Sequence, residues 1–397
     1  MTQRQGSTSQ GDRPSSRNNH EGAASVKEGQ SITTELLTWT PELNEDEASS
    51  RIVGKREAKS IEFDGNDEIR PIAFVADGYY IVGGDGDKIR RWRVKDGKEV
   101  GQPMDAESLV RSIAVSRDGK WIVSGAAYGQ VTVWGTESHK KVIQFAGHNY
   151  CAVWAVDVSP DGLKIATGSN DWTVCLWSLS TGERLLDPFK HDWTMAAVKF
   201  SPDGRSIATV TWLRKSVRIY DTQDGRRLVD TPIQVGSYCN QSLAWVALGK
   251  ELLALSKDGE MHHIDVATGS ILSKWAIHGS DKLRCIALPS NGAFVSASDH
   301  SSVLFWDIAT HNQIGPLIRH PDDIFYMAIS ANYDLVISGR KKTLLRGLRG
   351  VLPLSYFDNV CVLSSMPNAE KTDSLRTTYS NPKPCARGKK NISTTFS

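Results

Sequence analysis

The chain has little of what usually assigns chemistry from composition. Its six cysteines, Cys151, Cys175, Cys239, Cys285, Cys361 and Cys385, are scattered without a CxxC pair. That excludes a disulfide framework or a paired-cysteine zinc site, and Cys175, inside an apolar run, reads as a buried reduced thiol. No run of about eighteen apolar residues occurs, so no membrane span is expected. The first residues, MTQRQGSTSQGDRPSSRNNH, contain no apolar signal-peptide core. The expectation is therefore an intracellular protein, cytoplasmic rather than nuclear, in which the glycosylation-like triplets at Asn240 and Asn391 are incidental. Charge of one sign is missing as well: 47 basic against 45 acidic side chains leave a net charge of +2. No overall field calls for a membrane or nucleic acid, and neither is expected as a partner.

What is present is a repeat. The stretch from Gly147 to Gly182, GHNYCAVWAVDVSPDGLKIATGSNDWTVCLWSLSTG, holds three strand-like runs separated by turn chemistry. Val153–Val158 is followed by Ser159-Pro160-Asp161-Gly162, where proline presets one dihedral and Asp-Gly tolerates positive φ. Leu163–Thr167 turns at Gly168-Ser169-Asn170-Asp171, and Thr173–Trp177 is rich in β-branched and aromatic residues. No helical period competes.

The position of Trp177 is matched by Trp92, Trp134, Tyr220, His263 and Trp306, at steps of 42, 43, 43, 43 and 43 residues. The first turn recurs as Asp77-Gly78, Asp118-Gly119, Asp203-Gly204, Leu248-Gly249 and Asn291-Gly292. Two markers in one register indicate an array of small antiparallel meanders.

With its Gly-His pair, Ser-Pro-Asp-Gly turn, second-turn aspartate and third-strand tryptophan, the repeat resembles the WD-repeat β-propeller family. Trp306-Asp307 keeps the family's dipeptide, Tyr220-Asp221 nearly does, and Ser178 follows Trp177 where aspartate is common. The resemblance covers roughly residues 59–348. It implies an all-β fold, a seven-bladed propeller of four-stranded antiparallel blades closed by an N-terminal strand, Lys59–Phe63. It also implies a hydrogen-bonded set within one blade, here His148, Thr167, Asp171 and Trp177; only this blade has all four.

The expected division is a polar extension over 1–58, the propeller over 59–349 and a tail over 350–397. Within the first, Leu36, Leu37 and Trp39 form a small candidate docking element. Blade five is weak, with His263 as a packing substitute for tryptophan. Blade seven is degenerate, its third strand expected over Thr343–Leu348 with Arg346 at the tryptophan position. The tail ends in a basic cluster, Lys383, Arg387, Lys389 and Lys390.

No residue set points to catalysis, a metal or a cofactor, and none is expected. Gly83-Gly84-Asp85-Gly86 lies between two strands rather than before a helix, so it reads as a turn and not a phosphate cradle. His262 and His263 are adjacent in a strand and point to opposite faces. His278, Ser280 and Asp281 lack a nucleophile elbow. Lys88, Arg90, Arg91 and Arg93 read as a solvated charged strand.

Family geometry brings the loop before each first strand and the turn between second and third strands to one rim. There stand Tyr128, Tyr150, Trp172, Trp193 and Trp212, with Asn170, Arg214 and Lys215 as polar neighbours. These residues form either a partner-binding face or loop packing. The resulting expectation is a non-catalytic scaffold binding protein or peptide partners, a monomeric ring within larger assemblies. The alternatives are a small-ligand binder or enzyme using the central channel, and a partly degenerate propeller without stable function of its own.

Overall fold

A computed structural model describes residues 61–63 and 69–352, apart from 76–77, 213–215, 230–232, 236–242, 257–258, 278–284, 290–293, 299–300, 321–322, 331–334, 340–342 and 349–351. The chain divides into two units, Met1–Val53 and Gly54–Ser397, and every described strand belongs to the second. The candidate docking element around Trp39, the basic C-terminal cluster and the His278, Ser280, Asp281 group lie outside the described residues.

After β1 (Ile61–Phe63), the described strands form sheets in chain order. Sheet one is β2 (Ile69–Phe74), β3 (Tyr80–Asp85), β4 (Lys88–Arg93) and β5 (Met104–Asp105). Sheet two is β6 (Val110–Val115), β7 (Trp121–Ala126), β8 (Gln130–Gly135) and β9 (Lys141–Ala146). Sheet three is β10 (Val153–Val158), β11 (Lys164–Ser169), β12 (Thr173–Ser178) and β13 (Phe189–Lys190). Sheet four is β14 (Met195–Phe200), β15 (Ser206–Thr211), β16 (Ser216–Asp221) and β17 (Ile233–Gln234). Sheet five is β18 (Leu243–Val246), β19 (Glu251–Leu255), β20 (Glu260–Asp265) and β21 (Ile271–Ala276). Sheet six is β22 (Cys285–Ala287), β23 (Phe294–Ser298), β24 (Ser302–Asp307) and β25 (Gln313–Arg319). The last sheet combines β26 (Tyr326–Ile329), β27 (Leu335–Gly339) and β28 (Thr343–Gly347) with β1, in the order β1-β28-β27-β26. All pairings are antiparallel.

The turn between first and second strands is held by its own side chains. Ser159 Oγ donates to Asp161 Oδ1 at 2.5 Å and accepts from Lys164 N–H at 2.8 Å, while Asp161 also takes Leu163 N–H at 2.9 Å. Ser201-Asp203 and Ser116-Asp118 repeat the bonds in sheets four and two. This is why the Ser-x-Asp-Gly signature is legible: the side chains substitute for ladder bonds that a tight turn cannot make.

Each sheet is too thin to bury both faces alone, so consecutive sheets share cores. Trp134 and Ile122 pack with Val82 and Ile89, Trp177 and Ile165 with Val123 and Val131, and Tyr220 and Ile207 with Ala166 and Leu176. Similar clusters join sheets four to five, five to six and six to seven. A further one joins Ile72, Ile81 and Trp92 of sheet one to Tyr326 and Leu345 of the last sheet. Full burial of one such side chain contributes about 1.5–3 kcal/mol, so the inter-sheet clusters carry most of the fold. Polar ties add register: Arg91 Nη1 donates to Thr136 O at 2.8 Å, Ser112 Oγ to Val153 O at 2.8 Å, and Phe200 N to Asp157 Oδ2 at 2.8 Å.

Sheet five corrects one expectation. Leu252 pairs with Ile264, as Ile165 pairs with Trp177, so Ile264 and not His263 occupies the tryptophan position. Side chains alternate along a strand, and a one-residue slip reverses their faces. Ile264 is buried in the cluster between sheets four and five, whereas His263 faces Glu251, Nε2 to Oε2 2.7 Å. In the last sheet Val336 pairs with Arg346, and Ile61 and Phe63 of β1 pair with Leu345 and Thr343.

Candidate functional site

Backbone bonds collect the loops of neighbouring sheets along one edge. Ala127 N donates to Leu109 O, Asn170 N to Ala152 O, and Trp212 N to Thr194 O, placing each second-to-third turn against the segment leading into its own sheet. Gly147 N and His148 N donate to Gly129 O, and His191 N to Trp172 O, joining each turn to the next sheet. Tyr128, Tyr150, Asn170, Trp172, Trp193 and Trp212 therefore share one continuous edge of sheets two, three and four. Arg214 and Lys215 lie outside the described residues.

Tyr150 is 89% exposed, Tyr128 64% and Trp172 47%; Trp193 is half-buried. Trp172 and Trp193 stack across the boundary between sheets three and four, centroids 5.9 Å apart and planes 11° apart. Thr194 Oγ1 donates to Asn170 Oδ1 at 2.7 Å across the same boundary. Trp172 and Tyr150 both have positive φ, 67° and 51°, a region that large side chains avoid.

Three residues missed in the sequence join this edge. Leu109, 42% exposed, is paired through its backbone with the residue before Tyr128. Arg111 and Trp154 are the extra residues of β-bulges at the start of β6 and β10, between Val110 and Ser112 and between Val153 and Ala155. A bulge re-aims its side chain, and here the Arg111 guanidinium lies over the Trp154 ring at 4.7 Å. Ala196 is the bulge residue of β14, too short to extend the stack; Trp212 reaches Trp154 instead, centroids 5.5 Å apart. The available signal was positional: Arg, Trp and Ala follow the first apolar residue of three successive first strands.

Below that edge, sheet three holds its polar set. Trp177 Nε1–H donates to Thr167 Oγ1 at 2.8 Å, the Thr167 hydroxyl lies 2.8 Å from His148 Nε2, and His148 Nδ1 lies 2.7 Å from Asp171 Oδ2. One direction satisfies every group: tryptophan to threonine, threonine to histidine, histidine to carboxylate. Burial pushes the Asp171 carboxyl up, but hydrogen bonds from His148 and Thr173 outweigh it and hold it below the usual range. Burial also pushes the Cys175 thiol up to about 11, leaving it protonated.

Sheet four has a truncated version. His191 is buried 3.5 Å from Thr209 Oγ1, edge-on to Tyr220, and the charges bearing on it are the cations Arg218 and Arg227. Burial, then those cations, pull its pKa down to about 3. Because the folded value lies below the unfolded one of about 6.5, the unfolded chain binds more protons between the two, and stability falls as pH drops through that window. Between pH 7 and pH 5 the loss is about 2 kcal/mol. Urea unfolding of His191→Met at both pH values is expected to show that much less acid sensitivity; an unchanged difference would refute the assignment.

The charged strand β4 is neutralised internally: Lys88 by Asp105, Arg90 by Asp85 and Glu99, Arg91 by Glu137 and Arg93 by Asp96. No group of three or more potential metal ligands occurs among the described residues. The cavity between the first strands is lined by Arg111, Trp154, Ala196, Lys199 and Tyr326 among others and holds about 40 Å³, room for water rather than a metabolite. Lys199 is tied to Asp157 at 3.3 Å. A channel enzyme would need several converging polar groups, and this lining brings only Arg111 without a charged partner. No described helix is long and apolar enough to cross a membrane.

The family model described as "WD domain, G-beta repeat" matches residues 101–135, 139–178 and 269–307. The chain is 33% identical over 186 residues to eukaryotic translation initiation factor 3 subunit I of Aspergillus terreus, covering 44% of this chain and 54% of that protein. It is 28% identical over 226 residues to a periodic tryptophan protein 2 homolog of Dictyostelium discoideum, covering 56% of this chain and 24% of that one. The chain thus spans about half the length of the initiation-factor relatives, and about a quarter of the other. Among solved structures, the RRP9 WD40 repeats superpose with a TM-score of 0.64 at 16% identity, covering 73% of this chain and 99% of that one. U3-55K superposes at 0.63 and 18% identity, covering 73% and 98%.

These likenesses overturn one expectation. Near-zero net charge led to nucleic acid being set aside as a partner, yet RRP9 and U3-55K are components of RNA-binding particles built on this same fold. Net charge is a whole-chain sum and says nothing about one face, so that exclusion is withdrawn. An intracellular location accords with the relatives. Sheet topology, turn chemistry, matched repeats and superposition agree: the chain carries a WD40-repeat β-propeller domain.

Proposed function

We propose that this protein is a non-catalytic scaffold whose seven sheets close into a ring and whose loop edge over sheets two to four captures a protein or peptide partner. Pairing of β1 with β28, and the apolar cluster between sheet one and the last sheet, support closure with a weak seventh blade. The domain then spans residues 59–349, with extensions 1–58 and 350–397. The translation-factor likeness supports a cytoplasmic place, and a monomeric ring within a larger assembly suits a scaffold.

One observation carries the docking reading: exposed Trp172, held at positive φ, stacks on Trp193 of the neighbouring sheet. Large aromatics kept in water at a backbone cost are the groups from which binding hot spots are built. Tyr128, Tyr150, Asn170 and Trp212 extend the face, and Arg214 and Lys215 follow Trp212 in sequence.

The test exploits the strain. Trp172→Gly loses the stack, worth about 0.5–1.5 kcal/mol, but relieves a left-handed conformation costing about 1–2 kcal/mol. Its thermal midpoint is therefore expected to stay close to that of the parent. Affinity capture from native cell extract is expected to lose its partner with Trp172→Gly and with Trp193→Ala/Trp212→Ala. Capture unchanged in both variants, with folded protein, would mean that these rings only brace loops.

A further inference from the structure

The least satisfied charged group on this edge is Arg111. Its Nε is buried without a hydrogen-bond partner, and no described residue forms an ion pair with its guanidinium. What it touches is the face of Trp154, and Trp212 leans on that same indole. A cation held in an apolar setting without a counterion is costly, and the β6 bulge maintains it there.

We infer that Arg111 is the recognition point for a carboxylate: an aspartate or glutamate of an acidic peptide segment, seated with its guanidinium at the channel mouth while a neighbouring apolar side chain packs on Trp212. The inference rests on the docking reading above and names its chemistry. A planar guanidinium stacked on an indole leaves its N–H edge for a two-point bond to one carboxylate. Among the described cations of sheets two and four, Lys141 and Arg218 are already ion-paired. Glu107 holds Lys141 and Gln144, and Asp192 holds Arg218 at 2.6 Å. Among the described residues, one unpaired cation beside the exposed side chains of Leu109 and Trp212 is complementary to a single acid in an apolar context.

The experiment pans a random twelve-residue peptide phage library against the full chain, then measures selected peptides against the parent, Arg111→Gln, Arg111→Lys and Trp172→Gly. Thermal melts of each variant run alongside. Enrichment of Asp or Glu beside an apolar residue is expected. Kd should rise at least about tenfold in Arg111→Gln and less in Arg111→Lys, which keeps charge without the planar fork. If peptides are selected without an acid, or their Kd ignores Arg111 while depending on Trp172, the carboxylate assignment fails and the docking face stands. If no peptide is selected on the folded parent, both fail. Binding of a labelled single-stranded oligo-uridine that is lost in Arg111→Gln, with acidic peptides failing to compete, would assign the arginine to phosphate instead.

Discussion

Thr167→Val is expected to destabilise the domain by about 2–6 kcal/mol, although it changes neither volume nor backbone preference appreciably. The fully buried hydroxyl serves two neighbours at once: it accepts from Trp177 Nε1–H and bonds His148 Nε2, each at 2.8 Å. Valine leaves an indole donor and an imidazole acceptor buried without partners, and each such group costs about 1–3 kcal/mol. Thr167→Ser keeps the hydroxyl, loses one methyl group and should recover most of the difference. In sheet two the corresponding Ser124 serves Trp134 alone, so Ser124→Ala should cost about half as much. Urea unfolding of the four proteins checks the ranking. Equal losses in Thr167→Val and Thr167→Ser would show that packing, not the bond chain, holds sheet three.

Gly129→Ala is expected to cost about 3–5 kcal/mol, through a backbone clash rather than a loss of core packing. Gly129 has φ +83°, and an added Cβ would stand 1.7 Å from the backbone oxygen of His148. That contact exists because Gly129 O takes both Gly147 N–H and His148 N–H, the bonds that bring the turn of sheet two against sheet three. Gly162 supplies the control: its φ is +71° but nothing lies within 4 Å of the added atom. Gly162→Ala should therefore cost only the left-handed term, about 1–2 kcal/mol. The excess at Gly129 reads out the clash. Because Gly129→Ala displaces the backbone that carries the His148 ring, its combination with Thr167→Val should fall short of the sum of the two losses. Additivity would mean that the turn can move without disturbing the bond chain.

The repeat was legible because its markers are local. Ser159, Asp161 and Gly162 close a turn with their own side chains, so three letters suffice to find it. The four members of the sheet-three set were found through the family resemblance, and one blade spans all of them. His263 shows the limit of counting. Its step of 43 is regular, yet strand pairing sets Ile264 opposite Leu252, and the alternation of faces turns a one-residue error into a reversed side chain. Arg111 and Trp154 were invisible for a related reason. Within an apolar strand they look like ordinary alternation, and only the bulges direct them to the cavity between the first strands.

By itself, then, the sequence determined the β-meander unit, its period and the turn chemistry, and the family resemblance added the bond chain of sheet three and the aromatic loops. All of these follow from interactions within about forty residues, the length of one propeller blade. The tertiary structure decided what no single repeat contains. It set which residue of β20 faces the core, stacked Trp172 on Trp193, and placed Arg111 over Trp154 with no counterion among the described residues. Those are contacts between neighbouring blades, fixed by how one sheet packs on the next rather than by any pattern along the chain.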